Sequence, residues 1–354
     1  MKFTVSQTEL AHALRATSRA VSNGKTHPIL HGVLITATSD GTITVRSYDL
    51  EVGITTTIPA AVTTEGATVI PHRLLSDLIS RLDASGALSF TVDGARIAID
   101  TAAGSYSLSV APAEDFPNLP TVNAAAGAAI DLSAPLAAML PVVSNDASKQ
   151  VLCGVHVVAD GATLHMEATD GHRLAMRTMP ATAAAMDLVI PSRTLAMVRQ
   201  PVTVATDGHH AVFGLADGTE IISTIVNGTY PNAKALVPGE FKHVASCSRQ
   251  SLISSLERIA VIADSHNSIV KLEMTNGVIT IQSETDASSG SESVAADGTM
   301  PKLAANVHYL IDGLKHLHGA EVEISANTST TPVVIAAPGD RDNIYLVMPV
   351  QIRA

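Results

Sequence analysis

Aromatic residues are the first scarcity: the 354 residues include no tryptophan, five tyrosines and five phenylalanines. Readers of single-stranded nucleic acid stack bases on such rings, so this composition argues against that class. Cysteine is nearly absent as well. Cys153 and Cys247 stand far apart, without the spacing of a disulfide framework or a metal knuckle, and read as buried thiols in a reducing cytosol. No run approaches the roughly 18 apolar residues needed to cross a bilayer. The opening Met1-Lys2-Phe3-Thr4-Val5-Ser6-Gln7 lacks the apolar core of a secretion signal. A cytoplasmic chain with no membrane partner is expected.

Signatures of catalysis are missing too. Asn23-Gly24-Lys25-Thr26 ends like a phosphate-binding loop, but Arg19 stands where that motif needs its first glycine, and His27-Pro28 follows where a helix should begin. There is no H-E-x-x-H, C-x-x-C or G-x-S-x-G. The pairs His209/His210 and His316/His318 suggest a metal, yet no carboxylate or thiol stands at ligand spacing; a hairpin turn and a helix end explain them better. Asp170 and His172 lie close together without a nucleophile and read as a turn. The expectation is no catalytic residue, no metal and no cofactor.

What the chain does contain is aliphatic. Apolar residues make up 46%, mostly Ala, Val, Leu and Ile, enough for two or three cores. Acidic residues outnumber basic ones by 33 to 22, and a formal charge of −11, taken alone, argues against nucleic acid as a partner. Net charge, however, says nothing about where the charges sit.

Self-similarity organises the chain. Asp40-Gly41, Asp160-Gly161 and Asn276-Gly277 each open an alternating apolar run, the pattern of a tight hairpin, and an Asp follows nine or ten residues later at 49, 170 and 286. Val69-Ile70-Pro71 and Val189-Ile190-Pro191 precede helical patterns, with Ala304-Ala305-Asn306 in the corresponding place. Phe116-Pro117-Asn118 and Tyr230-Pro231-Asn232 close the first two blocks. The reading is an α+β chain of three copies of one module, at 1–122, 128–240 and 243–354, with linkers near 120–129 and 238–246.

Six helices are predicted, over 7–21, 71–82, 133–145, 191–200, 248–263 and 306–318. They hold nine basic residues (Arg15, Arg19, Arg73, Arg81, Arg193, Arg199, Arg249, Arg258, Lys315) against four acidic ones (Glu9, Asp77, Glu257, Asp312). The acidic surplus therefore lies entirely outside them. On the first helix Arg15 and Arg19 fall about 140° and 180° from Leu10, on the exposed side. A solvated face is the plain reading of one such stripe. Its recurrence in a repeated module points to a basic surface for a duplex phosphate backbone.

Several segments together resemble the bacterial replicative sliding clamp family, the beta subunit of DNA polymerase III. They are Met1-Lys2-Phe3-Thr4-Val5, Pro28-Ile29-Leu30, Asp115-Phe116-Pro117-Asn118-Leu119, Thr169-Asp170-Gly171-His172-Arg173-Leu174-Ala175 and Tyr345-Leu346-Val347-Met348-Pro349-Val350. The resemblance implies a head-to-tail homodimer forming a ring of six modules, helices inside and antiparallel sheets outside. Double-stranded DNA would pass through without sequence readout, and nothing would be catalysed. It implies partners that dock a short motif in an apolar pocket: the replicative polymerase, the clamp loader and other clamp-binding proteins. Carried over, that pocket comprises Leu152, Thr169, Gly171, His172, Arg173, Leu174, Pro231, Leu236, Pro332, Leu346, Met348, Pro349 and Val350. DNA would meet Arg15, Arg19, Lys25, Arg73, Lys149, Arg193 and Arg199. The dimer would close through sheet edges near 106–110 and 269–274, with Tyr106 against Val261 and Ile262. The tail Gln351-Ile352-Arg353-Ala354 departs from the family ending, and Gln150 and Val151 stand where some members have aromatics. These departures motivate the alternative of a variant or second-copy clamp resistant to a pocket-binding inhibitor.

Overall fold

The fold is that of a computed structural model, which describes residues 1–82, 86–122, 129–198, 202–263 and 267–351. The first third of the chain runs β1 (Lys2–Ser6), α1 (Gln7–Thr17), β2 (Gly32–Thr38), β3 (Thr42–Tyr48), β4 (Val52–Pro59), β5 (Ala61–Thr64), β6 (Gly66–Pro71), α2 (His72–Ile79), β7 (Ala87–Asp93), β8 (Arg96–Asp100), β9 (Ser105–Ser109) and β10 (Ala111–Pro112). The second continues with β11 (Ala129–Ile130), α3 (Ser133–Met139), β12 (Gly154–Ala159), β13 (Thr163–Thr169), β14 (Arg173–Pro180), β15 (Met186–Pro191), α4 (Ser192–Leu195), β16 (Val202–Thr206), β17 (His210–Leu215) and β18 (Glu220–Thr224). The third adds β19 (His243–Ser248), α5 (Arg249–Ala263), β20 (Ile269–Thr275), β21 (Val278–Glu284), β22 (Ser289–Gly298), β23 (Leu303–Asn306), α6 (Val307–His316), β24 (Glu321–Ala326), β25 (Val333–Ala336) and β26 (Asn343–Val347).

The residues divide into two compact units. One contains Met1–Ile130 with Gln200–Ile225; the other contains Asp131–Arg199 with Val226–Ala354. The expected central module is thus shared out between them. In the first unit the strands form a sheet β5-β1-β7-β8-β9 and a sheet β10-β6-β2-β3-β4-β18-β17-β16-β11. In the second they form one long sheet, β15-β12-β13-β14-β26-β25-β24-β19-β22-β21-β20-β23. Every pairing among the described residues is antiparallel.

Local chemistry accounts for these elements. Asn276 and Gly277 both take positive φ, 53° and 76°, so the β20–β21 hairpin turns on residues that tolerate the left-handed region. In α5 the buried Leu252, Leu256, Ile259 and Ala263 recur at helical spacing. In α6 the Asn306 side chain accepts from the His308 and Tyr309 amides and caps the free N-terminal donors. The core beneath α1 and α2 joins Leu10, Leu14, Leu75 and Ile79 to inward-facing residues of both sheets, including Phe3 stacked on Phe90 at 4.8 Å. Each such fully buried aliphatic side chain contributes about 1.5–3 kcal/mol.

Several expectations are corrected. The third helix stops at Met139: Leu140 keeps helical angles and donates to the Leu136 carbonyl, but Pro141 has no N–H with which to make the next such bond. The fourth is a single turn, Ser192–Leu195, and the second ends at Ile79, which puts Arg81 outside it. Arg199 lies outside the described residues. The helical basic surplus is also partly neutralised: Lys315 pairs with Glu257 at 2.7 Å and Arg258 with Glu292 at 2.7 Å. Residues 269–274 belong to β20, which is paired with β21 on one side and, through Ile269–Leu272, with β23 on the other, so β20 is not an edge strand. The unpaired side in that region belongs to β22: its pairing with β19 involves only Ala296–Gly298. Cys247 is buried, which pushes its thiol up to about 11, whereas Cys153 is only half-buried.

Candidate peptide-binding site

Strands β14 and β26 run side by side, with Leu174 opposite Leu346 and Arg173 opposite Val347. Leu174 and Leu346 face the same side of the sheet and form an apolar cluster with Met176, Ala233 and Val334, against which Met348, Val237 and Phe241 pack. Above this floor the apolar surface is incompletely covered: Leu236 is 52% exposed and Val350 40%. Such a lining of Leu, Met and Val can bury the aliphatic or aromatic anchors of an extended peptide, and Met adapts to varied shapes.

One wall is the turn between β13 and β14. Gly171 takes φ +93°, which its missing Cβ permits. The Asp170 carboxylate accepts from the His172 and Arg173 amides at 2.9 and 3.1 Å, and the Thr169 hydroxyl donates to the Arg173 carbonyl at 2.6 Å. The turn is joined to the last strand where the Met348 amide donates to the His172 carbonyl at 2.8 Å. The Thr169 amide donates to the Tyr230 hydroxyl at 3.0 Å, so the segment bearing Pro231 and Leu236 is fixed to the same turn.

The structure thus brings Thr169, Gly171, His172, Leu174, Leu346 and Met348 together. The exposed Pro231 adjoins Tyr230; Pro332 and Pro349 are half-buried, and the Val350 amide bonds to the Ala304 carbonyl. Leu152 is half-buried in the 3-10 turn Gln150–Cys153. Arg173 differs. By strand alternation its side chain leaves the sheet opposite to Leu174, and its guanidinium meets Asp312 and the Tyr309 ring on α6.

Behind Tyr230 lies a buried polar group. The Tyr230 ring stacks on His156 with centroids 4.8 Å apart, and the two ring nitrogens of His156 meet Glu167 and Asp187, each at 2.8 Å. The hydrogen bond to Glu167 is the main cause raising the His156 pKa. Burial works against the Glu167 carboxylate, yet His156 and His165 together hold its pKa down at about 2. Its Oε2 makes no hydrogen bond among the described residues; His165 Nε2 stands 3.8 Å away, at ion-pair reach. Sequence reasoning missed Tyr230, His156 and Asp312 as supports of the site. The Tyr-Pro-Asn marker was a signal for the first; the other two act across long stretches of chain and leave no local pattern.

The six described DNA candidates, Arg15, Arg19, Lys25, Arg73, Lys149 and Arg193, are all exposed. Tyr106 on β9 is 38% exposed and Val261 on α5 77%. No group of three or more His, Cys, Asp or Glu placed to hold a metal occurs among the described residues, and no described helix is long and apolar enough to cross a membrane.

Comparison with known proteins agrees with this arrangement. Family models for the DNA polymerase III beta subunit match in succession: the N-terminal domain at residues 1–120, the central domain at 138–232 and the C-terminal domain at 234–351. The beta sliding clamp of Synechococcus elongatus is 34% identical over all of both chains, and the beta sliding clamp homolog GriR of Streptomyces muensis is 27% identical over 99% of each. The fold matches the crystal structure of the sliding clamp from Bacillus subtilis with a TM-score of 0.93, at 24% identity and over all of both chains. With three matching domains and a curated relative at 34% identity over its whole length, the chain belongs to the DNA polymerase III beta subunit family, the beta sliding clamps, which are non-catalytic processivity factors.

Proposed function

We propose that two copies of this chain close head to tail into a ring of six modules that encircles double-stranded DNA and, through the pocket beside β14 and β26, holds the replicative polymerase, the clamp loader and other clamp-binding-motif proteins. The modules are taken as 1–122, 128–240 and 243–354, and the site of action as the bacterial cytoplasm. The pocket comprises the thirteen positions from Leu152 to Val350 named above, with Arg173 contributing its backbone. Exposed Arg15, Arg19, Lys25, Arg73, Lys149 and Arg193 would meet phosphates by sequence-independent attraction. The carrying observation is the unfinished repeat of strand joints.

Within the chain, the fourth strand of a module pairs twice with the last strand of the module that follows: β4 with β18, and β14 with β26. The fourth strand of the last module, β22, and β9, which is followed in the first module only by the two-residue β10, have no such partner among the described residues. Hairpin registers align Ser289 with Gly53 and Leu174, and Tyr106 with Ile221 and Tyr345. A joint repeated between two copies then puts Gly290 opposite Tyr106. A Cβ at Gly290 would stand 2.5 Å from the Ile262 side chain, so that glycine is the place where a partner's Tyr106 reaches Ile262 and the neighbouring Val261. Two open edges of this kind are liabilities unless covered, and head-to-tail closure covers both.

The replicative role has more support than that of a resistance variant, since identity to the Synechococcus elongatus clamp exceeds that to GriR. The test is retention on DNA. After loading onto a nicked circle, the protein is expected to stay bound in high salt and to be lost when the circle is linearised. Equal retention on both forms overturns the ring.

A further inference from the structure

We infer that Asp312, on α6, is a positioning residue for the peptide pocket: it anchors Arg173 and thereby holds the Thr169–Leu174 turn, and with it Met348, in the arrangement that receives a peptide. The inference rests on the pocket reading above and adds to it a residue on the far side of the sheet.

Arg173 has two halves that do different things. Its main chain is part of the pocket wall, with its amide on Asp170 and its carbonyl accepting from Thr169. Its side chain, only 11% exposed, passes to the other side of β14. There Nε donates to Asp170 at 3.0 Å, Nη1 to Asp312 at 2.6 Å and more weakly to the Tyr345 hydroxyl at 3.4 Å, and Nη2 to the Pro141 carbonyl. The Tyr309 ring, one turn before Asp312 on α6, lies 4.4 Å from the guanidinium. The planar fork of arginine is suited to hold several such partners at fixed angles, which lysine cannot do.

These partners are not equivalent. Asp170 belongs to the turn and moves with it, so it cannot fix the turn against anything else. Asp312 is the charged partner that lies outside the turn, on a helix anchored by the buried Val307, Leu310, Ile311 and Leu314 and capped by Asn306. The chain of contacts is therefore α6, Asp312, Arg173, the turn, and then the His172 carbonyl that receives the Met348 amide. At the corresponding joint in the other unit Val52 stands in the place of Arg173, and its side chain has no charge with which to make such an anchor.

The test uses the full chain and a fluorescent peptide carrying a replicative polymerase's clamp-binding segment. Asp312→Asn keeps the shape and an acceptor oxygen but removes the charge, and is expected to weaken peptide binding about tenfold, a size usual for coupled residues in one network. Asp312→Glu should restore most of it. Arg173→Gln combined with Asp312→Asn should bind no more weakly than Arg173→Gln alone, because both act along one route. A purely structural role would lower the thermal midpoint and leave peptide affinity at 25 °C unchanged. Met348→Ala separates the two readings. If it abolishes binding while Asp312→Asn leaves the affinity unchanged, the positioning role is overturned alone; if Met348→Ala also has no effect, the pocket itself falls. Additive losses in the double variant overturn the route through Arg173.

Discussion

The two joints inside the chain share a backbone and differ in almost every side chain. Where β4 meets β18, the Thr224 amide donates to the Glu51 carbonyl at 2.9 Å; where β14 meets β26, the Met348 amide does the same to His172 at 2.8 Å. Both preceding turns are held by an aspartate, Asp49 or Asp170, that accepts from two following amides. The side chains then diverge. Gly53 stands in place of Leu174, and Leu119 covers it; on the other side Leu174 packs with the small Ala233. Leu34, clustered with Phe116, has as its counterpart His156 stacked under Tyr230. One joint is sealed by its own chain; beside the other, Leu236 and Val350 stay exposed. Main-chain pairing supplies the joinery in both, while a few side-chain exchanges decide how far a joint is covered.

The sharpest way to break the comparison is to exchange the volumes. A Cβ on Gly53 would come within 2.7 Å of Leu119 and 2.8 Å of Ile222, so Gly53→Leu should destabilise the protein by about 1–3 kcal/mol through overpacking. Adding Leu119→Ala, which copies the pairing of Leu174 with Ala233, should recover a large part of this. Urea unfolding of the single and double variants measures both, and strict additivity would show that the two positions do not share a volume.

A smaller effect is expected at the turn. Leu50 holds φ +77°, a region that costs a branched side chain, whereas its counterpart Gly171 holds φ +93° freely. Leu50→Gly should therefore stabilise by about 1 kcal/mol less the extra freedom glycine gives the unfolded chain. A thermal midpoint that falls would mean that contacts of the half-exposed leucine outweigh its strain.

The smallest effect is in pH. His156 has a raised folded pKa, so its contribution to stability is complete below the ordinary histidine value of about 6.5 and is lost as pH rises through the folded value. Glu167 is depressed to about 2, so its contribution is present above the ordinary carboxylate range and lost only as pH falls toward 2. The β14–β26 joint should thus lose stability on the alkaline side, and His156→Gln should flatten that slope in a series of melting curves. The sealed joint, with Leu34 at that position, has no such group. An unchanged slope would place the titration elsewhere.

The threefold repeat, its glycine hairpins and the helix starts were legible in the sequence because each is encoded within a dozen residues, as by Asn276-Gly277 or the spacing of Leu252, Leu256 and Ile259. The premature end of α3 was legible too, in Pro141, but the apolar pattern running past it masked the signal. What could not be read was strand adjacency. Residues 269–274 look like an edge because nothing local distinguishes an edge from an interior strand, and the free side of β22 emerges only from the pairing order. The pocket motif identified the turn, but only the alternation of β14 shows that the Arg173 side chain leaves by the opposite side. Asp312, 139 residues away from Arg173, had no signal at all.

The two open edges carry one further consequence. Ser105, Ser107 and Ser109 alternate along β9, and Ser289, Ser291 and Ser293 along β22; the internal joints carry Ile222 and Leu346 in the place of Ser107, and Gly53 and Leu174 in the place of Ser289. A seam between such strands removes little hydrocarbon from water, so its closure should carry only a small change in heat capacity, and its strength should rest on main-chain hydrogen bonds and the few contacts around Tyr106. Between two copies, that serine seam would be the joint that yields first, leaving the aliphatic ones intact each time the circle parts.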